Sequence, residues 1–379
     1  MSINWESAKS HLLLNERLPQ KTLLAYQQLH AAAPDLPAHL WLASSGTSGK
    51  FKLIALAKQA LLSSAAAVNL HLSVTAADVW CLSLPTFHVG GLGVLARAHL
   101  SGARVCEFIG KTHGAKWDAA SFVSFCEEQQ VSLAALVPTQ LYDLLASDYF
   151  APKSLRAVLI GGGALSGDLY QAARRLGWNV LPTYGMTECS SQIATAELAS
   201  LQSNKFPQLK ILPHFQVGQA ATGFLQFKGP ALLSAILSHD ENGEEIFSEH
   251  RQTDWFVSED KGSFDGIYLT VEGRGEEFVK ISGESVDLNS LEQQLDNLKL
   301  QIKFNGDAAI IPIQDKRLGA KIALVTSGTD KIQSKQLFTE YNKIVPAFAK
   351  SKDVYVVESI PRSDLGKVFK NKLRALIMR

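Results

Sequence analysis

From His39 to Gly185 the chain repeats one alternation, a short apolar run followed by a stretch of helix-forming composition. HLWLA (39–43), VWCLSLP (79–85), ARVCEFI (103–109), SLAALVP (132–138), LRAVLIGGG (155–163) and NVLPTYG (179–185) have strand character. Between them lie LIALAKQALLSSAAAVNLHL (53–72), GGLGVLARAHLSG (90–102), AASFVSFCEEQQ (119–130), TQLYDLLAS (139–147) and DLYQAARRLG (168–177), all of helical texture. Apolar strands alternating with helices predict an α/β fold with a substantially parallel sheet. Residues 1–40 read as polar and helical, ending in the proline-rich AAAPDLPAHL.

The texture changes after about residue 195. GFLQFKGP, DWFVSED and GSFDGIYLT read as short strands and turns, a small β-rich section closing a large N-terminal domain of mixed and parallel sheets. From Arg274 onward come EEFVKISGESV, the helix SLEQQLDNLK, two apolar strands, another helix, DVYVVES and a basic tail. This reads as a small α+β domain, so the chain divides into 1–274 and 275–379.

Composition narrows the function classes. With 46% hydrophobic and 19% charged residues, the chain of 379 can bury a large core, as a soluble globular protein does. The formal net charge of +1 gives no global field to draw in nucleic acid or an acidic membrane. No apolar run reaches the length of about 18 residues that suggests a membrane span, and the N-terminus has no signal-peptide pattern. The four cysteines, Cys81, Cys106, Cys126 and Cys189, form no metal-ligand spacing and read as buried free thiols in a reducing compartment. A cytoplasmic protein is expected.

Several segments have the residue types of a site. SSGTSGKFK (44–52) gathers hydroxyls, two glycines and two lysines, the donors and cations a phosphate attracts. It lacks Walker A spacing, so it is either a different phosphate loop or a polar surface turn. LPTFHVGGLG (84–93) sets His88 between a strand end and a glycine-rich helix start. Arg97 lies in an otherwise apolar helix, where it either snorkels to the surface or anchors an anionic substrate. Gly161, Gly162 and Gly163 end a strand, where open α/β sheets bind ligands, although Ser166 leaves the dinucleotide fingerprint incomplete. In LPTYGMTECSSQIAT (181–195), Tyr184 offers a flat face and Gly185 allows close approach. Thr187, Ser190, Ser191 and Gln192 are hydrogen-bonding groups, and Glu188 is a hard oxygen ligand suited to Mg²⁺. Asp260 is either a turn residue or an acceptor for ribose hydroxyls. Lys367 follows a glycine near the C-terminus.

The order of these segments is more specific than any one of them. SSGTSGKFK, LPTFHVGGL, GGGAL, YGMTE, the Asp of WFVSED, GR-x-EE-x-x-K-x-x-G and PR-x-x-x-GK follow one another from about residue 41 to the end. The series resembles the adenylate-forming superfamily of acyl-CoA synthetases, adenylation domains and luciferases. YGMTE-x-x-SQIAT and LPTFHVGGLGVLAR are similar, within it, to the o-succinylbenzoate–CoA ligases of menaquinone biosynthesis. Other aryl- or fatty-acyl-CoA ligases share much of this pattern, and a non-catalytic nucleotide- or acyl-binding relative is the alternative from another class.

The resemblance implies ATP and Mg²⁺, coenzyme A as co-substrate, a small-molecule carboxylic acid as substrate, and a monomer or homodimer. It implies that Ser45, Gly46, Thr47, Ser48 and Gly49, with Lys52, wrap the β- and γ-phosphates. Gly161, Gly162, Gly163, Tyr184 and Gly185 form the adenine slot, Asp260 holds the ribose with support from Arg274, and Thr187 and Glu188 serve phosphate and metal. Lys367 is the catalytic lysine, supplied by a mobile C-terminal domain that turns about Glu276 and brings Gly283 to the thiol path. His88, Arg97, Ser191 and Gln192 line the acyl pocket, Arg97 meeting a distal carboxylate. The first motif begins near residue 44, earlier than is usual in the family, so the N-terminal part is expected to be shortened. Phe51 stands where the phosphate loop usually has proline, and Ser258-Glu259-Asp260 replaces Thr-Gly-Asp.

Overall fold

The computed structural model describes residues 3–43, 52–108, 117–239, 244–274, 278–281, 284–315, 319–364 and 366–378. The expected alternation builds one half of an eleven-stranded sheet. Strands Arg104–Glu107, Val79–Leu82, Leu133–Leu136, Ala157–Ile160 and Val180–Met186 lie side by side, all parallel. The central ones are fully buried apolar runs covered by helices on both faces, which is why they do not alternate polar and apolar residues. One layer packs Phe122, Leu141, Leu144 and Tyr170 against the sheet, and the other packs Val68, Val94 and Ala98 around Trp80.

The β-rich section does not stand apart. Ser191–Thr195, Leu209–Ile211, Tyr268–Arg274, Phe256–Phe264, Phe224–Lys228 and Gln216–Gln219 continue the same sheet in antiparallel pairing beyond Val180–Met186. Ala235–His239 and Glu245–Glu249 instead join His11–Leu13, His39–Ala43 and Lys52–Ala57 in a five-stranded sheet.

Two local expectations are corrected here. Residues 53–57 form a strand, and the helix begins only at Lys58. Leu53 to Leu56 are fully buried between strands on both sides, and a continuous apolar run gives no periodicity by which to tell strand from helix. Residues 1–40 hold the strand His11–Leu13 as well as the helix Gln20–Ala31.

The C-terminal residues build cores of their own. Leu288, Leu291, Leu295, Leu324, Leu337 and Tyr341 cluster on one side of the sheet formed by Asp307–Asp315, Gly319–Ser327 and Val354–Val356. Ile311, Val325, Ile360 and Leu373 cluster in a second core. The boundary expected between 274 and 275 borders residues 275–277, which lie outside the described residues.

A polar clamp fixes the N-terminal ends of the parallel strands, opposite the edge where the site lies. Arg156, just before one strand, grips Asp78, just before another, through Nε–Oδ1 at 2.7 Å and Nη2–Oδ2 at 2.9 Å. The Ser132 hydroxyl, before a third strand, donates to Asp78 Oδ1 at 2.8 Å and accepts from the Val79 amide at 2.9 Å. Burial pushes the Asp78 carboxyl up, but the hydrogen bonds from Arg156, the Thr75 amide and Ser132 override it and hold the pKa to about 2. A depressed carboxylate stabilises the fold above its unfolded pKa and loses that contribution as pH falls through the folded value. Asp78→Asn therefore lowers stability by roughly 2 kcal/mol at neutral pH. In urea titrations the gap from wild type should shrink as pH drops from about 4 towards 2. A gap constant over that window would show that the lost charge is not responsible.

Candidate active site

The C-terminal ends of the parallel strands converge on one edge, where ligands of such sheets bind. Val79–Leu82 leads into the loop that carries His88 and then into the helix Val89–Ser101. Gly91 makes this turn possible, because a Cβ there would overlap the Pro85 carbonyl. His88 Nε2 is buried without a hydrogen-bond partner among the described residues. Burial lowers the imidazole pKa against the opposing pull of Asp364, favouring the neutral ring.

Ala157–Ile160 runs into Gly161, Gly162 and Gly163. A Cβ on Gly161 would stand 2.9 Å from the Thr183 methyl, and Gly162 has φ +78°. The next strand presents Tyr184, whose hydroxyl donates to Asp260 Oδ2 at 2.6 Å. Asp260 is buried within the strand Phe256–Phe264, so it is not a turn residue. The Ser258 hydroxyl accepts from its amide at 3.2 Å. In the antiparallel register Asp260 lies opposite Arg274.

At the end of the strand Val180–Met186 the chain reverses through the 3₁₀ turn Thr187–Cys189. Ser190 has φ +50° and Ser191 φ +105°, conformations that non-glycine residues rarely adopt and that sites often retain. The reversal brings the Ser191 carbonyl so close to Gly185 that a Cβ on residue 185 would overlap it. Glu188 is held by Leu233, whose amide donates to the Glu188 carbonyl at 2.8 Å. Its carboxylate meets Lys52 Nζ at 3.0 Å, with 17% of the Glu188 side chain exposed. Cys189 beneath is fully buried, and burial together with the carboxylates of Glu188 and Asp260 pushes its thiol pKa up. Among the described residues no three His, Cys, Asp or Glu side chains gather as a metal cage. A lone carboxylate already holding a cation fits Mg²⁺, which takes one or two protein carboxylates and completes its shell with phosphate oxygens and water.

Arg97 is not a snorkelling surface residue. It is 2% exposed, on the buried face of its helix. Nη2 donates to Ser191 Oγ at 3.3 Å, Nε is buried without a hydrogen-bond partner among the described residues, and the guanidinium carbon lies 5.5 Å from the centre of the Trp80 ring. Burial lowers its pKa to about 9, with no carboxylate among the described residues to oppose the shift. Gln192, next to Ser191 in sequence, is also buried. Its amide nitrogen donates to the hydroxyls of Thr183 at 2.6 Å and Thr195 at 3.0 Å, and its Oε1 has no partner among the described residues. The buried Ser190 hydroxyl likewise has no partner among the described residues.

The C-terminal residues close on this edge. Ser363 and Lys367 form a tight turn in which the Ser363 amide donates to the Lys367 carbonyl at 2.7 Å. Arg362 braces it, donating to Asp307 through Nε and Nη2 and to the Gly366 carbonyl through Nη1 at 2.7 Å. Gly366, at φ +78°, sits against Thr139, where a Cβ would overlap the side chain. Asp364 accepts from Asn15 at 2.6 Å. Elsewhere along the junction, Asn297 bridges Ser166 and Asp168, and Lys299 Nζ lies 4.7 Å from the centre of the Tyr142 ring.

The sequence-derived residues Lys52, His88, Arg97, Gly161–Gly163, Tyr184, Gly185, Thr187, Glu188, Ser191, Gln192 and Asp260 thus belong to this strand edge and the antiparallel strands beside it. Ser45, Gly46, Thr47, Ser48, Gly49, Glu276 and Gly283 lie outside the described residues, and Arg274 is described by its backbone alone. Thr139, Thr183, Thr195 and Trp80 were missed. Thr183 had a signal in its place directly before the Tyr-Gly pair; Trp80, an ordinary core residue of an apolar strand, had none.

Comparison with known proteins agrees with this geometry. The AMP-binding enzyme family matches residues 6–217. The 2-succinylbenzoate–CoA ligase of Bacillus subtilis is 26% identical over 96% of this chain and 72% of its own length. That of Bacillus cereus strain Q1 is 28% identical over 88% of this chain and 69% of its own. The structure of the Bacillus subtilis o-succinylbenzoate coenzyme A synthetase with ATP and magnesium superimposes with a TM-score of 0.70, at 23% identity, over 88% of this chain and 69% of that one. The anthranilate CoA ligase in complex with anthranoyl-AMP does so with a TM-score of 0.69, at 20% identity, over 89% and 67%. With a family match over more than half its length, the chain belongs to the AMP-binding enzymes.

Proposed function

We propose that this chain is an AMP-forming acid–thiol ligase that converts a carboxylic acid to its acyl adenylate and then to its coenzyme A thioester, with o-succinylbenzoate as the acid. The observation that carries the reading is the seating of the Ser363–Lys367 turn on Thr139, at the strand edge that also bears the glycine slot, Tyr184 and Glu188. A lysine supplied there by C-terminal residues is what phosphorus chemistry at that edge requires.

A carboxylate is a poor acyl donor, because its charge repels nucleophiles and its oxygen leaves badly. Its oxygen attacks the α-phosphorus of ATP, the bond to the bridging oxygen breaks, and pyrophosphate departs. Charge spreads over phosphoryl oxygens in the transition state, so fixed cations and donors are the effective catalysts. Lys367 contacts the carboxylate and α-phosphate, and Thr187 holds a phosphate oxygen. Ser45, Gly46, Thr47, Ser48 and Gly49, with Lys52, enclose the outer phosphates. The Gly161–Gly163 slot and Tyr184 take the adenine, and Asp260 the ribose hydroxyls, with Arg274 in support. Glu188 would hold Mg²⁺, and the ion would offset charge on the phosphate oxygens.

In the second step the thiol sulfur of coenzyme A attacks the acyl carbon, the C–O bond to AMP breaks, and the thiol proton is released. For this step the C-terminal domain, residues 275–379, turns about Glu276, withdrawing Lys367 and bringing Gly283 to the thiol. The junction combines the polar contacts of Asn297 and Lys299 with the packed side chain of Leu300, the mixed character of interfaces between domains that move.

The preference for o-succinylbenzoate rests on Arg97. A buried cation without a counter-ion is costly, and a second carboxylate on the substrate supplies that counter-ion. His88, Ser191 and Gln192 complete the acyl pocket.

Lys367→Ala should leave ATP binding largely intact and slow adenylate formation by roughly 10²–10³-fold, the loss typical of one transition-state donor. Single-turnover pyrophosphate release measures it, and a near-normal rate would remove the lysine from the chemistry. Arg97→Ala should reduce kcat/KM for o-succinylbenzoate by about 2–4 kcal/mol in free-energy terms, far more than for benzoate analogues. Equal losses for both would refute the anchor.

A further inference from the structure

The helix Val89–Ser101 contains three glycines, Gly90, Gly91 and Gly93. A glycine inside a helix is less favourable than alanine, so Gly91 and Gly93 each need a reason. Gly91 has one in the fold, since a Cβ would strike the Pro85 carbonyl. Gly93 has no such backbone obstacle. The nearest atoms to a Cβ there are Arg97 Nη2 at 3.0 Å, Ser191 Oγ at 3.2 Å and Arg97 Cζ at 3.4 Å. Its missing side chain makes room for one thing, the contact between Arg97 and Ser191.

Helix geometry explains the pairing. A long side chain at position i lies back over the turn N-terminal to it, against residue i−4. Arg97 therefore reaches back across residue 93, and with glycine there its guanidinium can lie close to the helix backbone. Trp80, fully buried in the neighbouring strand, lies within reach of a favourable cation–π contact at 5.5 Å. Ser191 approaches from the strained reversal after Gly185. The Asn69 amide and the Ser101 hydroxyl both donate to the Arg97 carbonyl at 2.8 Å, fixing its backbone. The cation is thus held by an aromatic face, a hydroxyl and an absent methyl group, while Nε has no hydrogen-bond partner among the described residues.

We propose that Gly93 and Trp80 are specificity-determining positioning residues: they fix the Arg97 guanidinium beside Ser191 so that the site selects acids carrying a second carboxylate. The proposal rests on the reading of Arg97 given above. An alanine at 93 displaces the guanidinium or the serine by a few tenths of an ångström, enough for about a 10-fold effect on a charge-paired contact. Leucine at 80 keeps apolar bulk but removes the ring face.

The test compares kcat/KM for pyrophosphate release with two aromatic acids that differ only in a distal carboxylate, one free and one as its methyl ester. Wild type, Gly93→Ala, Trp80→Leu and Trp80→Phe are measured, each with its melting temperature. Gly93→Ala should melt at or above wild type, as helix propensity dictates, while its diacid-to-ester ratio falls about 10-fold through KM. Trp80→Leu should lose the same ratio, and Trp80→Phe should recover most of it. A diacid preference that survives Gly93→Ala, or that Trp80→Phe loses as fully as Trp80→Leu, overturns the positioning role while leaving Arg97 as the anchor. A wild type that does not discriminate removes the anchor itself, and the positioning role with it.

Discussion

The site depends on one close approach, the Ser191 carbonyl lying against the bare α-carbon of Gly185. The strand Val180–Met186 is the seam of the large sheet, parallel to Ala157–Ile160 on one side and antiparallel to Ser191–Thr195 on the other. To pair with its own continuation the chain must reverse within a few residues, and only glycine at 185 admits the returning strand. The reversal projects Glu188 toward Lys52, leaves Tyr184 facing Asp260, and sets Ser191 against Arg97. On the proposed assignment one turn would locate both the nucleotide and the acyl group, so errors in its geometry would be shared by both.

Two buried cations show how the structure separates support from chemistry. Lys58 is 1% exposed, yet its ammonium donates to the carbonyls of Asn4 and Ser7 at 2.8 and 2.9 Å. Its hydrogen-bonding capacity is used by the chain itself, tying the N-terminal segment to the helix that begins at Lys58. Arg97 is as deeply buried, but among the described residues its side chain has one long hydrogen bond and an orphaned Nε. A buried cation with so few partners is costly, which is the reason for proposing that a substrate carboxylate completes it. Sequence treats the two alike, as single charges in apolar helices.

The expectations of an α/β fold, of the adenylate-forming superfamily and of a CoA ligase agree with the architecture and with the relatives found. The parallel half was legible because each strand is short, apolar and bounded by helical texture. Strand 52–57 was not, since AKQALLSSAAAV directly continues its apolar composition into a helix and only the flanking strands decide its state. The merging of the β-rich section into the main sheet was equally hidden, because strand pairing across distant segments leaves no local mark. For the site, glycines and charged residues in order were readable, while the apolar support was not. Trp80 matters through what it faces, and facing is a property of the fold.

The most direct measurement is pyrophosphate release from ATP over a panel of carboxylic acids, with and without coenzyme A. If the account holds, o-succinylbenzoate releases pyrophosphate well ahead of benzoate and fatty acids, and its thioester and AMP accumulate only when coenzyme A is present. A chain that binds ATP yet releases no pyrophosphate with any acid would contradict it.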